Sequence, residues 1–286
     1  MEKIQIGVIG GTGLYDIKGL EEIKEVKPST PFGEPSDIII TSTLEGRRVA
    51  FLPRHARGHR IMPTELNNKA NIYALKSLGV EWIIAFSAVG SMKEEIRPRD
   101  FLIPDQLFDR TKIRVPTFFG EGIVAHISFA DPYCPTLSKI LYETGNDLGY
   151  RIHKGGTYLC IEGPAFSTRA ESRIYRNWGV EVIGMTNLPE VKLAREAEIC
   201  YATVALVTDY DVWHATEEVS VETVLKNLEI NTLKAKALVK AVVLKIPDKR
   251  ECLCATALAN AIITEGNAIP EKRKKELELL VGKYLK

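Results

Sequence analysis

Ile4–Gly13 reads IQIGVIGGTG, a run rich in β-branched residues that stops in a glycine-rich turn. A strand apolar on nearly successive residues is covered on both faces, as in a sheet flanked by helices. Similar strand-like runs follow at Ile38–Ser42, Arg48–Pro53, Trp82–Ser87, Thr157–Glu162, Glu181–Gly184 and Tyr201–Thr208. Helical patterns lie between them. Asn71–Leu78 stops at Gly79 and Leu137–Leu148 stops at Gly149, each with glycine at the position that closes a helix. Thr168 and Glu171 form a capping box that opens a helix through Trp178, and Pro189 suits the first turn of a helix over Glu190–Ile199. Ser220 caps a long helix ending before Pro247. This alternation predicts one α/β domain over residues 1–286, with a mixed β-sheet flanked by helices on both sides and a charged helical extension over about 264–286.

The chain has 286 residues, 45% of them hydrophobic, and its 38 Lys and Arg against 37 Asp and Glu leave a formal charge of +1. That balance excludes a disordered, collagen-like or coiled-coil chain and speaks against a surface for nucleic acid or anionic membrane. The expected partner is a small molecule. No stretch approaches the roughly 20 apolar residues that span a bilayer. The N-terminus MEKIQIGVIG lacks the features of a signal peptide, so a cytoplasmic protein is expected. Five cysteines, at 134, 160, 200, 252 and 254, are an odd number, and reduced buried thiols are the default reading. Zinc is not expected, because no histidine lies near Cys252 or Cys254 and that pair is a single residue apart.

Three segments could carry chemistry. Gly10-Gly11-Thr12-Gly13 follows the first strand, where backbone amides and a hydroxyl can approach an anion; it reads as a phosphate loop, a dinucleotide loop lacking its third glycine, or a tight turn. Pro53–Arg60 places arginines and histidines together at a strand end, either as a solvated basic loop or as an anion site with a guanidinium fork. Asp209 and Asp211 end an apolar strand; in extended chain they point the same way and could share a site, one carboxyl pushed toward its protonated form, or they mark a surface strand end. Ser87-Ala88, Glu162–Ser167 and Met185-Thr186 also fall at strand ends, where open α/β sheets bind ligands.

In order, the segments IGVIGGTGLYD, FLPRHARGHRIMP, NKANIYALKSLGV, SAVGSM, HISFADPYCP, IEGPAFSTRAESR, VIGMTNLPE and CYATVALVTDYD resemble the trimeric purine nucleoside phosphorylase family, in its 5′-deoxy-5′-methylthioadenosine phosphorylase branch. The resemblance implies a pentosyltransferase in which phosphate, as co-substrate, attacks the ribosyl anomeric carbon and the purine departs. It implies no metal and no organic cofactor. It places phosphate on Thr12, Arg54, His55, Ser87, the Ala88 amide and Thr186. The nucleoside falls to Phe166 on the purine face, Ser167, Met185 against the ribose, His59, and His126 reaching the 5′-substituent of a neighbouring subunit in a homotrimer or hexamer. Asp209 and Asp211 meet the purine edge.

Two carboxyl groups there favour adenine: a protonated one donates to N7 and an ionised one accepts from the amino group, whereas a 6-oxo purine sets acceptor against acceptor. Methylthioadenosine, with adenosine as a second substrate, is the resulting expectation; a broad phosphorylase also taking inosine or guanosine is the alternative. A hydrolytic nucleosidase and a nucleotide-binding oxidoreductase are the more distant rivals. Ala165 stands where the family usually carries arginine, and Asn187 replaces the usual threonine or small apolar residue. A thermophilic subset of the branch carries a C-x-C pair, and by that resemblance Cys252–Cys254 and Cys134–Cys200 are candidate disulfides.

Overall fold

A computed structural model describes residues 3–11, 13–214 and 220–285. In chain order its elements are β1 (Ile6–Gly10), β2 (Leu20–Val26), β3 (Ile39–Leu44), β4 (Arg47–Pro53), α1 (Asn68–Ser77), β5 (Trp82–Ser91), β6 (Phe101–Ile103), β7 (Gln106–Arg110), α2 (Pro135–Asp147), β8 (Ile152–Lys154) and β9 (Thr157–Ile161). They continue with α3 (Arg169–Asn177), β10 (Val182–Gly184), α4 (Glu190–Glu196), β11 (Cys200–Asp209), α5 (Val221–Val243), α6 (Glu271–Glu276) and α7 (Glu278–Val281). The described strands form one mixed sheet in the order β2-β3-β4-β1-β5-β10-β9-β7, and β11 branches from β5 toward β6 and β8.

The apolar strands are covered on both faces, as their composition requires. Ile6 and Val8 of β1 enter a core with Leu137 and Leu141 of α2 and Leu238, Val239 and Val242 of α5. On the other face Ile9 joins Ile72 and Leu75 of α1, Val191 and Leu193 of α4, and Leu277, Leu280 and Val281 from the C-terminal segment. The expected charged helix at the tail is two short helices, α6 and α7, with Leu277 between them fully buried. The Thr168–Glu171 capping box forms as expected, and the Ser220 hydroxyl accepts from the Thr223 amide. Pro189 caps α4 from outside its first turn.

The candidate disulfides Cys252–Cys254 and Cys134–Cys200 are not formed: all five cysteines are free thiols. The four sulfurs of the two candidate pairs share one place, with Cys252 Sγ 3.7 Å from Cys134 Sγ and 3.2 Å from Cys200 Sγ. Among the described residues no helix is long and apolar enough to cross a membrane.

β5 positions the ligand cavity. Its first half pairs in parallel with β1, from Trp82 to Ala85, and its far end pairs antiparallel with β10 at Gly90 and Ser91. β11 covers the opposite edge throughout. Between the end of β1 and the start of β10, residues Phe86–Val89 therefore have no strand neighbour on one side. A break of this kind in an α/β sheet leaves backbone donors and acceptors available to a ligand.

Candidate active site

Arg54 enters this break from the end of β4, its amide donating to the Gly10 carbonyl at 2.9 Å. The guanidinium is 2% exposed and forks onto the fully buried carboxylate of Glu190, with Nε and Nη2 each 2.8 Å from an oxygen. Nη1 donates to the Phe86 carbonyl at 2.7 Å, and the Tyr201 hydroxyl donates to Glu190 at 2.7 Å. Burial works against the Arg54 charge, but the ion pair with Glu190 outweighs it and holds the group firmly protonated. Three of its five N–H groups are used in this frame, which leaves two for an anion.

His55 Nδ1 lies 2.8 Å from the Ile61 carbonyl, which can only accept, so Nδ1 carries the proton. Burial, helped by the neighbouring Arg54 charge, lowers the His55 pKa to about 4. The ring is consequently neutral and its Nε2 is an acceptor. His59 stacks on it at 4.4 Å. Across the break, the Ser87 hydroxyl lies 2.9 Å from Thr186 Oγ1 and 2.8 Å from the Tyr158 hydroxyl. Tyr158 reaches this position because residue 184 is glycine: a Cβ there would sit 2.0 Å from the tyrosine oxygen. Residues two apart in a strand present their amides to the same edge, so Ala88 aims its N–H where Phe86 aims its carbonyl.

At the end of β11 a register shift between Val207 and Asp209 brings Asp209 opposite Gly90. A side chain at Gly90 would crowd this corner, since its Cβ would lie 2.9 Å from Asp209 Oδ1 and 3.3 Å from Asp211 Cβ. Asp209 accepts from the Thr208 hydroxyl at 2.7 Å and from the Asp211 amide at 2.8 Å. The chain is not extended here. Tyr210 is near the bridge region and Asp211 has φ of 52°, opening a 3₁₀ turn over Asp211–Trp213. Both carboxyls still reach one cavity, through a turn rather than by strand alternation. Burial raises both pKa values; mutual repulsion is not the leading cause.

These residues line a single cavity of about 640 Å³, within the range that accommodates a small organic ligand. Arg54, His55, His59, Ser87, Ala88, Phe166, Ser167, Met185, Thr186, Asp209 and Asp211 all contribute to its wall. Gly11 does so as well, while Thr12 lies outside the described residues. His126 does not reach the cavity of its own chain; its amide donates to the Ala261 carbonyl at 2.8 Å.

Sequence reasoning missed two kinds of contributor. Glu190 and Tyr158 are the buried partners of the anion-facing groups, and nothing in the local pattern distinguishes them from other helix and strand residues. Val221, Val224, Leu225 and Leu228 of α5 form the apolar outer wall; their i, i+3, i+4, i+7 spacing reads as an ordinary core stripe. Arg114 was also unmarked. It donates to carbonyls of Met185, Leu188 and Glu162, at 2.6, 2.5 and 2.6 Å, tying the Met185 turn to the end of β9. Ala165, in place of the expected arginine, is exposed, and buried Asn187 donates to Tyr133 at 2.8 Å and Thr203 at 3.1 Å.

The phosphorylase superfamily profile matches residues 5–244 of this chain. The S-methyl-5′-thioadenosine phosphorylase of Geobacter sulfurreducens is 55% identical over 287 residues, covering all of both chains. The chain belongs to the phosphorylase superfamily. Within that family it is also 55% identical to the S-methyl-5′-thioadenosine phosphorylase of Hyperthermus butylicus, over 91% of this chain and 96% of that one. The crystal structure of a family member sourced from an antarctic soil metagenomic library, described as a methylthioadenosine phosphorylase, superposes with a TM-score of 0.94 at 48% identity, covering 98% of this chain and 99% of that one. An adenosine/methylthioadenosine phosphorylase variant from Schistosoma mansoni, in complex with adenine, superposes with a TM-score of 0.84 at 34% identity over 90% of this chain and 96% of that one. The mixed sheet with helices on both faces is thus the family fold.

Proposed function

We propose that this phosphorylase cleaves 5′-deoxy-5′-methylthioadenosine with inorganic phosphate, giving adenine and 5-methylthioribose 1-phosphate. The observation that carries the reading is the polarity of the one cavity: an anion cradle at the β5 break, a buried aspartate at the β11 end, and an apolar wall from α5. The names of its full-length relatives support the same reaction.

Phosphate is held by the two remaining Arg54 N–H groups, the Ser87 and Thr186 hydroxyls, the Ala88 amide and the glycine turn at Gly11, with Thr12 adding a further hydroxyl. Neutral His55 offers an acceptor at Nε2 for the single P–OH of hydrogen phosphate. A phosphate oxygen forms the bond to C1′ while the C1′–N9 bond breaks and its electron pair leaves with adenine. Asp209, whose carboxyl burial pushes toward its protonated form, donates to N7 and makes adenine the better leaving group. The proton lost by the phosphate monoester passes through solvent to Asp209 and replaces the one given to adenine, so the overall reaction is proton-balanced. Fixing phosphate beneath C1′ makes the attack effectively unimolecular, which is worth about 7–11 kcal/mol when fully realised. This chemistry needs neither a metal nor an organic cofactor.

Phe166 and Met185 sandwich the nucleoside, Ser167 and His59 border it, and Asp211 accepts from the adenine amino group. The α5 wall suits a thiomethyl group. Adenosine is a second, poorer substrate, because an apolar pocket discriminates only weakly against a small hydroxyl. The Schistosoma mansoni protein described as an adenosine/methylthioadenosine phosphorylase supports that extension. His126 closes the site of a neighbouring chain, making the working enzyme a homotrimer or a dimer of trimers.

Base release followed by chromatography, with and without phosphate, tests the reading on methylthioadenosine, adenosine and inosine. Phosphate-dependent adenine release, strongest with methylthioadenosine and with little hypoxanthine, is expected. Comparable hypoxanthine would restore the broad phosphorylase, and release without phosphate would make the enzyme a hydrolase.

A further inference from the structure

Four of the five cysteines come together at one point of the fold, far from the ligand cavity. Cys134 is the residue immediately before α2, Cys200 begins β11, and Cys252 and Cys254 belong to the turn that follows α5. Their four sulfurs all lie within 4.8 Å of one another. Cys134, Cys200 and Cys254 are buried and Cys252 is partly so. The remaining cysteine, Cys160, is buried elsewhere, in β9.

Ordinary apolar packing of thiols does not require four sulfurs from three separate chain segments to converge. Two disulfides would require sulfurs sorted into two exclusive pairs, but Cys252 approaches both Cys200, at 3.2 Å, and Cys134, at 3.7 Å. A tetrahedral centre with metal–sulfur bonds of about 2.3 Å separates its four sulfurs equally, by about 3.8 Å. The observed cluster needs only sub-ångström to ångström adjustment to reach that arrangement. The C-x-C spacing is accommodated by the local backbone: Cys252 is extended, Cys254 lies in a 3₁₀ turn, and Leu253 between them points outward at 83% exposure.

We propose that Cys134, Cys200, Cys252 and Cys254 form a closed tetrathiolate site for a tetrahedral thiophilic metal ion, with Zn²⁺ as its occupant. Four thiols bind Zn²⁺ as thiolates, releasing four protons and leaving a Zn(S-Cys)₄ centre of charge −2. The site is structural, since all four positions are filled by protein and none remains for water or substrate. It clamps the segment after α5 to the start of β11 and to α2. This differs from the expectation drawn from the isolated C-x-C pair, because Cys134 and Cys200 supply the two ligands that the local sequence lacks. The inference is independent of the proposed reaction.

The test begins with the full chain purified without chelator or thiol reductant and analysed for metals against protein concentration. About one zinc per chain is expected. Removing it with a strong chelator and adding Co²⁺ should produce the intense visible bands of a tetrahedral cobalt thiolate, a readout that needs no variant. Cys254→Ser should abolish the stoichiometric zinc and lower the Tm, while turnover at 25 °C stays within about twofold; Cys160→Ser should change none of these. Metal-free protein whose four cysteines resist alkylation in denaturant until reduced would overturn the proposal in favour of disulfides. Metal-free protein with four alkylatable thiols that binds neither Zn²⁺ nor Co²⁺ would overturn it equally.

Discussion

The floor of the cavity around Arg54 and its outer wall are built on opposite principles. At the floor, Arg54 and Glu190 are 2% and 0% exposed, and each is fixed by hydrogen bonds to Phe86 or Tyr201. Along the wall, Phe166, Val221 and Leu225 are 52%, 65% and 59% exposed and contribute only apolar surface. The floor is set before any ligand arrives, and its charge is neutralised inside the protein by a buried pair. The wall gains burial only when something apolar covers it. A buried charge is preorganised at one end, whereas at the other only desolvation of apolar surface is available to a ligand.

Changes at the floor and at the buried aspartate should therefore be severe, and changes at the wall graded. The largest effect is expected for Asp209→Asn, which should lower turnover on methylthioadenosine by about ten- to a thousandfold, the range of a lost general acid. The sign of its pH dependence follows from protonation. The raised pKa keeps Asp209 able to donate at higher pH than a free aspartate, and activity falls as pH rises through that value. Stopped or spectrophotometric rates across pH should show that alkaline limb in the native enzyme and not in the variant. Unchanged turnover would remove Asp209 from the reaction.

Arg54→Ala should cost about 3–5 kcal/mol of stability in addition to raising the phosphate KM, because Glu190 is left charged and unpaired in the interior. Glu190→Gln sharpens the contrast. It breaks the same pair but keeps the guanidinium facing phosphate, so denaturant melts should report a loss while the phosphate KM rises less. If Arg54→Ala raised the phosphate and nucleoside requirements equally, the arginine would be structural only.

At the wall, Leu225→Ser should lower kcat/KM for methylthioadenosine by about three- to tenfold, the scale of roughly a kilocalorie of lost apolar contact. The value for adenosine should move less than about twofold. Equal losses on both substrates would mean that α5 does not read the 5′ group. The smallest effect expected is on stability in mild acid. His55 is neutral in the fold, with a pKa near 4 against 6.5 for the free side chain, so the unfolded chain binds more protons between those values. Stability from this group is complete above pH 6.5 and is lost as pH falls toward 4. Thermal melts should drop by a few degrees over that window and drop less in His55→Gln.

Most of the scaffold was legible because buried strands and capped helices write themselves locally: Trp82–Ser87 lies within β5, and Thr168 with Glu171 caps α3. The strands that escaped were those whose pattern is set by neighbours. β2 and β7 are largely exposed edges rich in charge, and β6 and β8 are three residues long. The same division runs through the site. Glycines, arginine and paired aspartates advertise chemistry by type, but Glu190 acquires its meaning only from Arg54, 136 residues away. Asp209 and Asp211 were rightly grouped for an incomplete reason, since a bulge and a turn converge them and burial raises them. The gap along Phe86–Val89 belongs to no residue at all; it arises where one strand partner leaves and the next has not begun.

One strand carries both Asp209 and Cys200, at its two ends. Ten residues at about 3.3 Å each set them roughly 30 Å apart, with the densest part of the core between. An ion held at the Cys200 end would therefore be joined to the carboxyl end of the cavity by one rigid rod while remaining out of reach of any ligand bound there. The molecule supplies its own measuring stick: the colour of a cobalt ion at one end would report unfolding while ligand binding at the other is followed undisturbed at the same time.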